Sequence, residues 1–333
     1  MGRSLAGVLL IIIAGAVNGS ALLPLKYTRG WKFENTWLLY STFAYLVAPL
    51  LIAFITVPNL PDVYTDAGLS SCVLIAAFGV GWGLAVVLNG LGVFMVGLSL
   101  ASAILMGSSV ALGSIVPLLL KSPERMFTKE GMHILVLDLL MLVGVLLCTW
   151  AGELRGRAIS AEARTVTLRG IAICLIAGVL STLFNIALSY GEVVSRAAVA
   201  HGAGTLSAAN AVWGLAVSAG SFPGLAWCAW SLFRHKQWHL FRSGPRLRNS
   251  ALCALMAFLW ISGTVCYGMA AGMLGQLGPV IGWPIYMSAI ILSSAFWGWI
   301  SGEWRGIAGR PPRVMGLGIV IQVLVIVMLS RLP

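Results

Sequence analysis

Charge is what this sequence lacks. From Cys72 to Leu120, 49 residues pass without an Asp, Glu, Lys or Arg, and from Ser250 to Gly302 another 53 do so. Charged residues make up 9% of the chain and hydrophobic ones 59%, with a mean hydropathy of +0.95. Ordinary soluble composition is excluded by these values. A membrane-crossing helix takes about 20 predominantly apolar residues, so each tract has room for two. Within hydrocarbon every backbone N–H and C=O must be paired internally, which leaves helices or a closed barrel. The apolar runs are continuous rather than alternating, so a barrel is excluded too.

Other scarcities narrow the function. Only four histidines occur, and His235 and His239 share a basic loop with no acidic partner. No cluster of His, Asp and Glu gathers at one end of the spans, as a membrane-embedded enzyme would need. Neither a repeated filter nor a charged ring suggests a channel. The six cysteines (Cys72, Cys148, Cys174, Cys228, Cys253, Cys266) include no CxxC pair and fall in or beside apolar runs. They read as small buried side chains, not as metal ligands or a disulfide framework, and no cofactor is expected.

Ten apolar runs are present, near residues 5–23, 37–57, 71–94, 99–120, 132–151, 170–191, 206–232, 251–271, 279–301 and 313–331. The fold expected is an all-α polytopic membrane protein of ten transmembrane helices. Nine further spans make the first a retained helix rather than a cleaved leader. The net charge of +11 reflects topology, not nucleic-acid binding. Alternate loops hold 15 of the 21 Lys and Arg, while the other loops and the termini hold six. Under the positive-inside rule the richer set is cytoplasmic and both termini face outward.

An internal repeat is visible. Ile13-Ala14-Gly15, Leu25 and Tyr27 recur as Ile176-Ala177-Gly178, Leu188 and Tyr190, at an offset of 163. Trp82, Gly90 and Gly97 recur as Trp260, Gly268 and Gly275, at an offset of 178. The change of offset places an insertion around Glu192–Thr205. Two five-helix repeats follow, residues 1–155 and 170–333, joined by a cytoplasmic linker at 156–169. An odd number of spans per repeat inverts one half relative to the other, the arrangement used for alternating access.

A cavity for a small neutral solute needs aromatic faces and hydrogen-bonding groups. Trp82 and Asn89 share one face of the third span, and Trp260 and Tyr267 repeat that spacing on the eighth. Asn18 and Ser181 occupy equivalent repeat positions, and Asn185 lies one turn beyond Ser181. Trp283 and Tyr286 flank Pro284 on the ninth span. For Asn18, Asn89 and Asn185 the alternative is an interhelical hydrogen bond. Trp150, Trp227, Trp230 and Trp238 sit near span ends and suit an interfacial belt. Asp138 lies well inside the fifth span among leucines. An intramembrane carboxylate is a functional candidate, here for holding a proton, with a structural role or a hydroxyl or basic partner as the alternative. Lys26 and Glu34 bracket the first loop, either as a gate pair or as separate anchors.

Pro24-Leu25-Lys26, Trp31, Glu34, Trp37, Pro49 and Pro58-Asn59 resemble the opening of the bacterial L-rhamnose–proton symporters, of the drug/metabolite transporter superfamily. Further likeness lies in Phe78-Gly79, Trp82-Gly83, Gly178, Ser181, Trp260, Trp283, Glu303-Trp304 and Arg310-Pro311. The resemblance implies a ten-helix secondary transporter carrying a small sugar with a proton, and it also picks out Trp82, Trp260 and Trp283. At two ninth-span positions where the family pattern has Asp and His, this chain has Pro279 and Tyr286. An Arg of the family pattern is replaced by Phe94. The partners expected are thus a sugar, a proton and the lipid bilayer. The alternative is an exporter or facilitator of another small polar or amphipathic metabolite, not proton-coupled through the family's usual residues.

Overall fold

The structure, a computed structural model, describes residues 2–121, 123–159 and 167–331. Among the described residues, ten helices are long and apolar enough to cross a membrane. In chain order they are α1 Leu5–Tyr27, α2 Phe33–Thr56, α3 Leu69–Val96, α4 Leu100–Leu119, α5 Lys129–Ala158, α6 Leu168–Ala200, α7 Ala209–Arg234, α8 Arg246–Met273, α9 Gly278–Ile300 and α10 Arg310–Leu329. Each coincides with an expected span, most running several residues further because hydrogen-bonded turns continue past the apolar stretch. Of the expected 156–169 linker, residues 160–166, including Glu162 and Arg164, lie outside the described residues.

Three spans are irregular. α1 closes in a 3-10 turn, Leu23–Tyr27, whose second residue is Pro24. α2 contains a π-type stretch, Thr42–Val47, which carries Tyr45. α6 is interrupted at Thr182 and Gly191, giving Leu168–Ser181, Leu183–Tyr190 and Glu192–Ala200. The last of these pieces falls where the change of repeat offset places an insertion.

Packing follows small residues. α1 lies against α8 and α9, α3 against α6 and α7, α4 against α5, α6 and α9, and α5 against α10. At the α3–α7 crossing a Cβ on Gly79 would run into the Ala216 carbonyl, and one on Gly83 into that of Gly220. Only glycine lets two helix backbones meet so closely, and without a hydrophobic drive between helices such packing supplies much of the association. Large apolar side chains such as Leu5, Phe54, Leu69, Phe258 and Phe296 are exposed on the perimeter, as lipid-facing positions should be. All six cysteines are free, and all but the half-buried Cys266 are buried.

Candidate functional site

Where α2, α3, α6, α7, α8 and α9 converge, their aromatic rings form one connected cluster. Trp82 and Trp260 stack with centroids 5.8 Å apart and planes inclined by 25°. The Tyr45 ring meets both edge-on, at 5.2 and 4.6 Å. Phe184 touches Trp82, stacks on Trp213 at 4.7 Å, and lies 5.8 Å from Trp283. Tyr267 stacks on Tyr286 at 4.5 Å. Trp82 and Trp260 are half-buried, whereas Tyr267, Trp283 and Tyr286 are buried.

The polar centre of this cluster is Asn185, which is fully buried. Its Nδ2 donates to the carbonyls of Gly113 on α4 at 2.8 Å and Pro279 on α9 at 2.9 Å. Its Oδ1 accepts from the Tyr267 hydroxyl of α8 at 2.6 Å. One amide thus ties four helices together. The Trp283 indole N–H donates to the Ser109 carbonyl at 2.8 Å, reinforcing the α4–α9 contact.

Directly above this knot, toward the face that bears the chain's first residues, a cavity of about 330 Å³ opens. Leu188, Ser189, Glu192 and Ser195 of α6 line it, with Ala209 of α7, Gly268 and Gly272 of α8, and Pro279 of α9. Its size suits a small molecule. Trp213 Nε1 and Thr264 Oγ1 are buried nearby without a hydrogen-bond partner among the described residues. The Trp213 nitrogen lies against Gly268, where an added Cβ would come within 2.5 Å of it.

The expected residues therefore divide. Trp82, Asn185, Trp260, Tyr267, Trp283 and Tyr286 come together. Asn18 supports the cluster from behind, donating to the Trp260 carbonyl at 3.2 Å. Ser181 donates to Gly178 of its own helix at 2.8 Å. Asn89 is half-buried two turns along α3 from Trp82, and its Oδ1 has no partner among the described residues. Phe94 is exposed.

Lys26 and Glu34 do not pair with each other. The 3-10 turn after α1 carries Lys26 to the loop between α9 and α10, where it bonds Glu303 and Ser301. Glu303 also accepts from Arg155, at the end of α5, at 2.5 Å. Burial works against the charge on Glu303, but the Lys26 ammonium and the Arg155 guanidinium hold its carboxyl below the ordinary value. Glu34, in the first turn of α2, instead accepts from Ser231 of α7 at 3.4 Å. Asn249 clasps the backbone of Arg29 on the same face. These contacts tie together chain segments on the face opposite the cavity.

Tyr45, Phe184 and Trp213 were not singled out from the sequence. Tyr45 and Trp213 are 168 positions apart, between the two repeat offsets, so extending the repeat to the second and seventh spans would have suggested them. Phe184 lies three residues beyond Ser181, on the face expected for Asn185.

A chain whose described residues form ten apolar helical spans around a buried aromatic and amide centre, with a cavity beside it, is a multi-pass membrane protein. The sequence profile of the L-rhamnose-proton symport protein family matches residues 3–331, and the chain belongs to that family. L-rhamnose-proton symporters of Shigella boydii serotype 18 and Escherichia coli strain 55989 are 24% identical to it over 323 residues, covering 95% of this chain and 94% of each relative. The corresponding protein of Escherichia coli O45:K1 aligns with the same identity and coverage.

Proposed function

We propose that this protein imports L-rhamnose or a related small sugar together with a proton, by alternating access across the bacterial inner membrane, with both termini periplasmic. The observation that carries this reading is the continuity between the outer cavity and the Asn185–Tyr267 knot. Pro279 lines the cavity and accepts from Asn185, while Gly268 adjoins Tyr267. A sugar entering there meets Ser189, Glu192 and Ser195 on the wall and, beneath it, the amide that holds the helices together. The Lys26–Glu303–Arg155 contacts on one face and the cavity on the other together fit an outward-facing state.

Two features support the inverted repeats at 1–155 and 170–333. Shifting each helix by five exchanges the packed pairs: α1 with α8 becomes α6 with α3, α1 with α9 becomes α6 with α4, and α5 with α10 maps onto itself. Trp82 and Trp260, equivalent by that shift, face one another. Asp138, 1% exposed with neither oxygen hydrogen-bonded among the described residues, is the candidate proton carrier. An ionised carboxylate without a donor or counter-ion is strongly disfavoured in such surroundings, so the arrangement suits the protonated form.

Purified protein in liposomes loaded with a pH dye tests the reading. Lumenal acidification on addition of L-rhamnose or a related sugar is the expected result. The competing reading, an uncoupled facilitator or exporter of another solute, draws on Pro279 and Tyr286 standing where the family pattern has Asp and His. Radiolabelled solute movement without acidification would favour it.

A further inference from the structure

Trp213 of α7 is 1% exposed, yet its indole N–H has no hydrogen-bond partner among the described residues. Within a membrane span that is a costly arrangement, because the surrounding hydrocarbon cannot take the hydrogen. Other tryptophans of the spans show the usual solution. Trp283 donates to the Ser109 carbonyl at 2.8 Å, and Trp297 donates to the Ser20 hydroxyl at 2.6 Å. Each of those bonds ties one helix to another. The Trp213 donor is uncommitted.

Its position points to an occupant. Trp213 lies one turn beyond Ala209 on α7, and its nitrogen sits in the seam between Ala209 and Gly268 of α8. A Cβ built on Gly268 would come within 2.5 Å of that nitrogen and 3.1 Å of the Ala209 Cβ. Ala209 and Gly268 both line the outer cavity, so the donor stands directly behind its wall, where the wall carries least side chain. The ring stacks on Phe184 at 4.7 Å, and Phe184 touches Trp82, Trp260 and Trp283. Trp213 thus joins the cavity to the aromatic cluster. On its α8 and α9 side the cavity is lined by glycine, alanine and proline, and the Pro279 carbonyl already accepts from Asn185. Trp213 is the donor which that side holds in reserve.

We infer that Trp213 contacts the substrate: with a sugar in the outer cavity, its indole N–H donates to one sugar oxygen through the seam between Ala209 and Gly268. An indole nitrogen only donates, so its partner must be an acceptor, and every sugar hydroxyl has two lone pairs. The wall from α6 brings Ser189, Glu192 and Ser195, and an ionised Glu192 only accepts. A polyol satisfies both sides, giving hydrogens to Glu192 and taking one from Trp213, whereas an ammonium solute could only give. Small residues border the seam, and α8 packs chiefly on α1. A slight separation of α8 from α7 therefore uncovers the nitrogen without moving a bulky side chain. Trp213 then reads one hydroxyl position, because a solute without an oxygen there leaves the buried donor unpaired. The inference rests on the sugar reading proposed above, and the test separates the two.

A benzothiophene amino acid placed at position 213 keeps both rings and puts sulfur where the N–H was. Binding of L-rhamnose, and of analogues each lacking one hydroxyl, is measured by calorimetry on the native and replaced chains in nanodiscs. The replaced chain should bind L-rhamnose about five- to tenfold more weakly, the loss of one hydrogen bond. Its thermal midpoint should stay or rise, since removing an unpaired buried donor does not weaken the fold. One analogue, lacking the hydroxyl that Trp213 reads, should bind both chains equally. Gly268→Ala, which keeps Trp213 but sets a methyl group against its nitrogen, should weaken L-rhamnose and spare the same analogue. Undiminished L-rhamnose binding by the replaced chain, or by Gly268→Ala, overturns the contact and leaves the sugar reading standing. So does an equal loss for every analogue, or a midpoint that falls along with binding, either of which makes Trp213 purely structural. A native chain that binds no sugar overturns the sugar reading and the contact with it.

Discussion

Trp82 of α3 and Trp260 of α8 stack 5.8 Å apart, one from each half of the chain. The pair stays half-exposed while the rings beneath it are buried. In the transport cycle proposed above, this pair supplies flat faces for the C–H side of a pyranose.

Trp82→Ala and Trp260→Ala should each lower sugar uptake about tenfold or more, the consequence of losing roughly 1.4 kcal/mol of binding in the transport cycle. Phe at either position should retain part of the activity. Uptake of labelled sugar into liposomes, scaled to reconstituted protein, measures this. Full activity in both alanine variants would remove the pair from the site.

Asn185→Leu leaves the Gly113 and Pro279 carbonyls and the Tyr267 hydroxyl without their partner. At about 0.6 kcal/mol for each interhelical bond, a loss of roughly 2 kcal/mol is expected. Thermal unfolding in detergent should show a clearly lower midpoint, with Asn185→Asp milder. An unchanged midpoint in the Leu variant would mean that the knot holds nothing together.

Glu303 sets a pH limit on the contacts opposite the cavity. Its carboxyl titrates below the ordinary carboxylate value, so its contribution to stability is complete above about pH 4.3 and is lost as pH falls through the lower folded-state value. The gap in thermal stability between the native chain and Glu303→Gln should therefore be constant through neutral pH and narrow only in stronger acid. Exchanging the charges, with Lys26→Glu and Glu303→Lys together, should recover part of what either change loses. A gap that narrows already near neutrality would disprove the clasp as described.

Asp138→Asn should yield uptake that no longer responds to an imposed pH gradient, with sugar exchange at equal pH retained. Retained gradient-driven accumulation would clear Asp138 of carrying the proton.

Gly83→Ala should cripple expression or folding, because its methyl group meets the Gly220 backbone. Gly90→Ala, on the same helix with nothing within 4 Å, should be neutral. Comparable yields of both variants would contradict the packing at the α3–α7 crossing.

The fold was legible because hydropathy reports burial in lipid directly, and all ten spans follow from it. Part of the aromatic cluster was legible for a related reason: Trp82, Trp260 and Trp283 lie within apolar helices, whereas Tyr45, Phe184 and Trp213 were missed. Hydrogen-bond geometry was not legible. Asn18 and Asn185 look alike in sequence, yet one braces a neighbouring carbonyl and the other joins four helices, because α6 breaks at Thr182 and turns Asn185 inward. The partner of Lys26 was hidden for a similar reason. Loop charges are placed by turns such as Leu23–Tyr27, and proximity in sequence favoured Glu34 over Glu303, 277 residues away.

At the crossing of α3 and α7, backbone faces backbone and few side chains interdigitate. Two surfaces of that kind can slide or pivot without changing rotamers, much as a plain bearing turns without teeth. The glycines that make this contact intolerant of a single methyl group also make it smooth. In the alternating-access cycle proposed above, the tightest joint is thus the one with the least to rearrange.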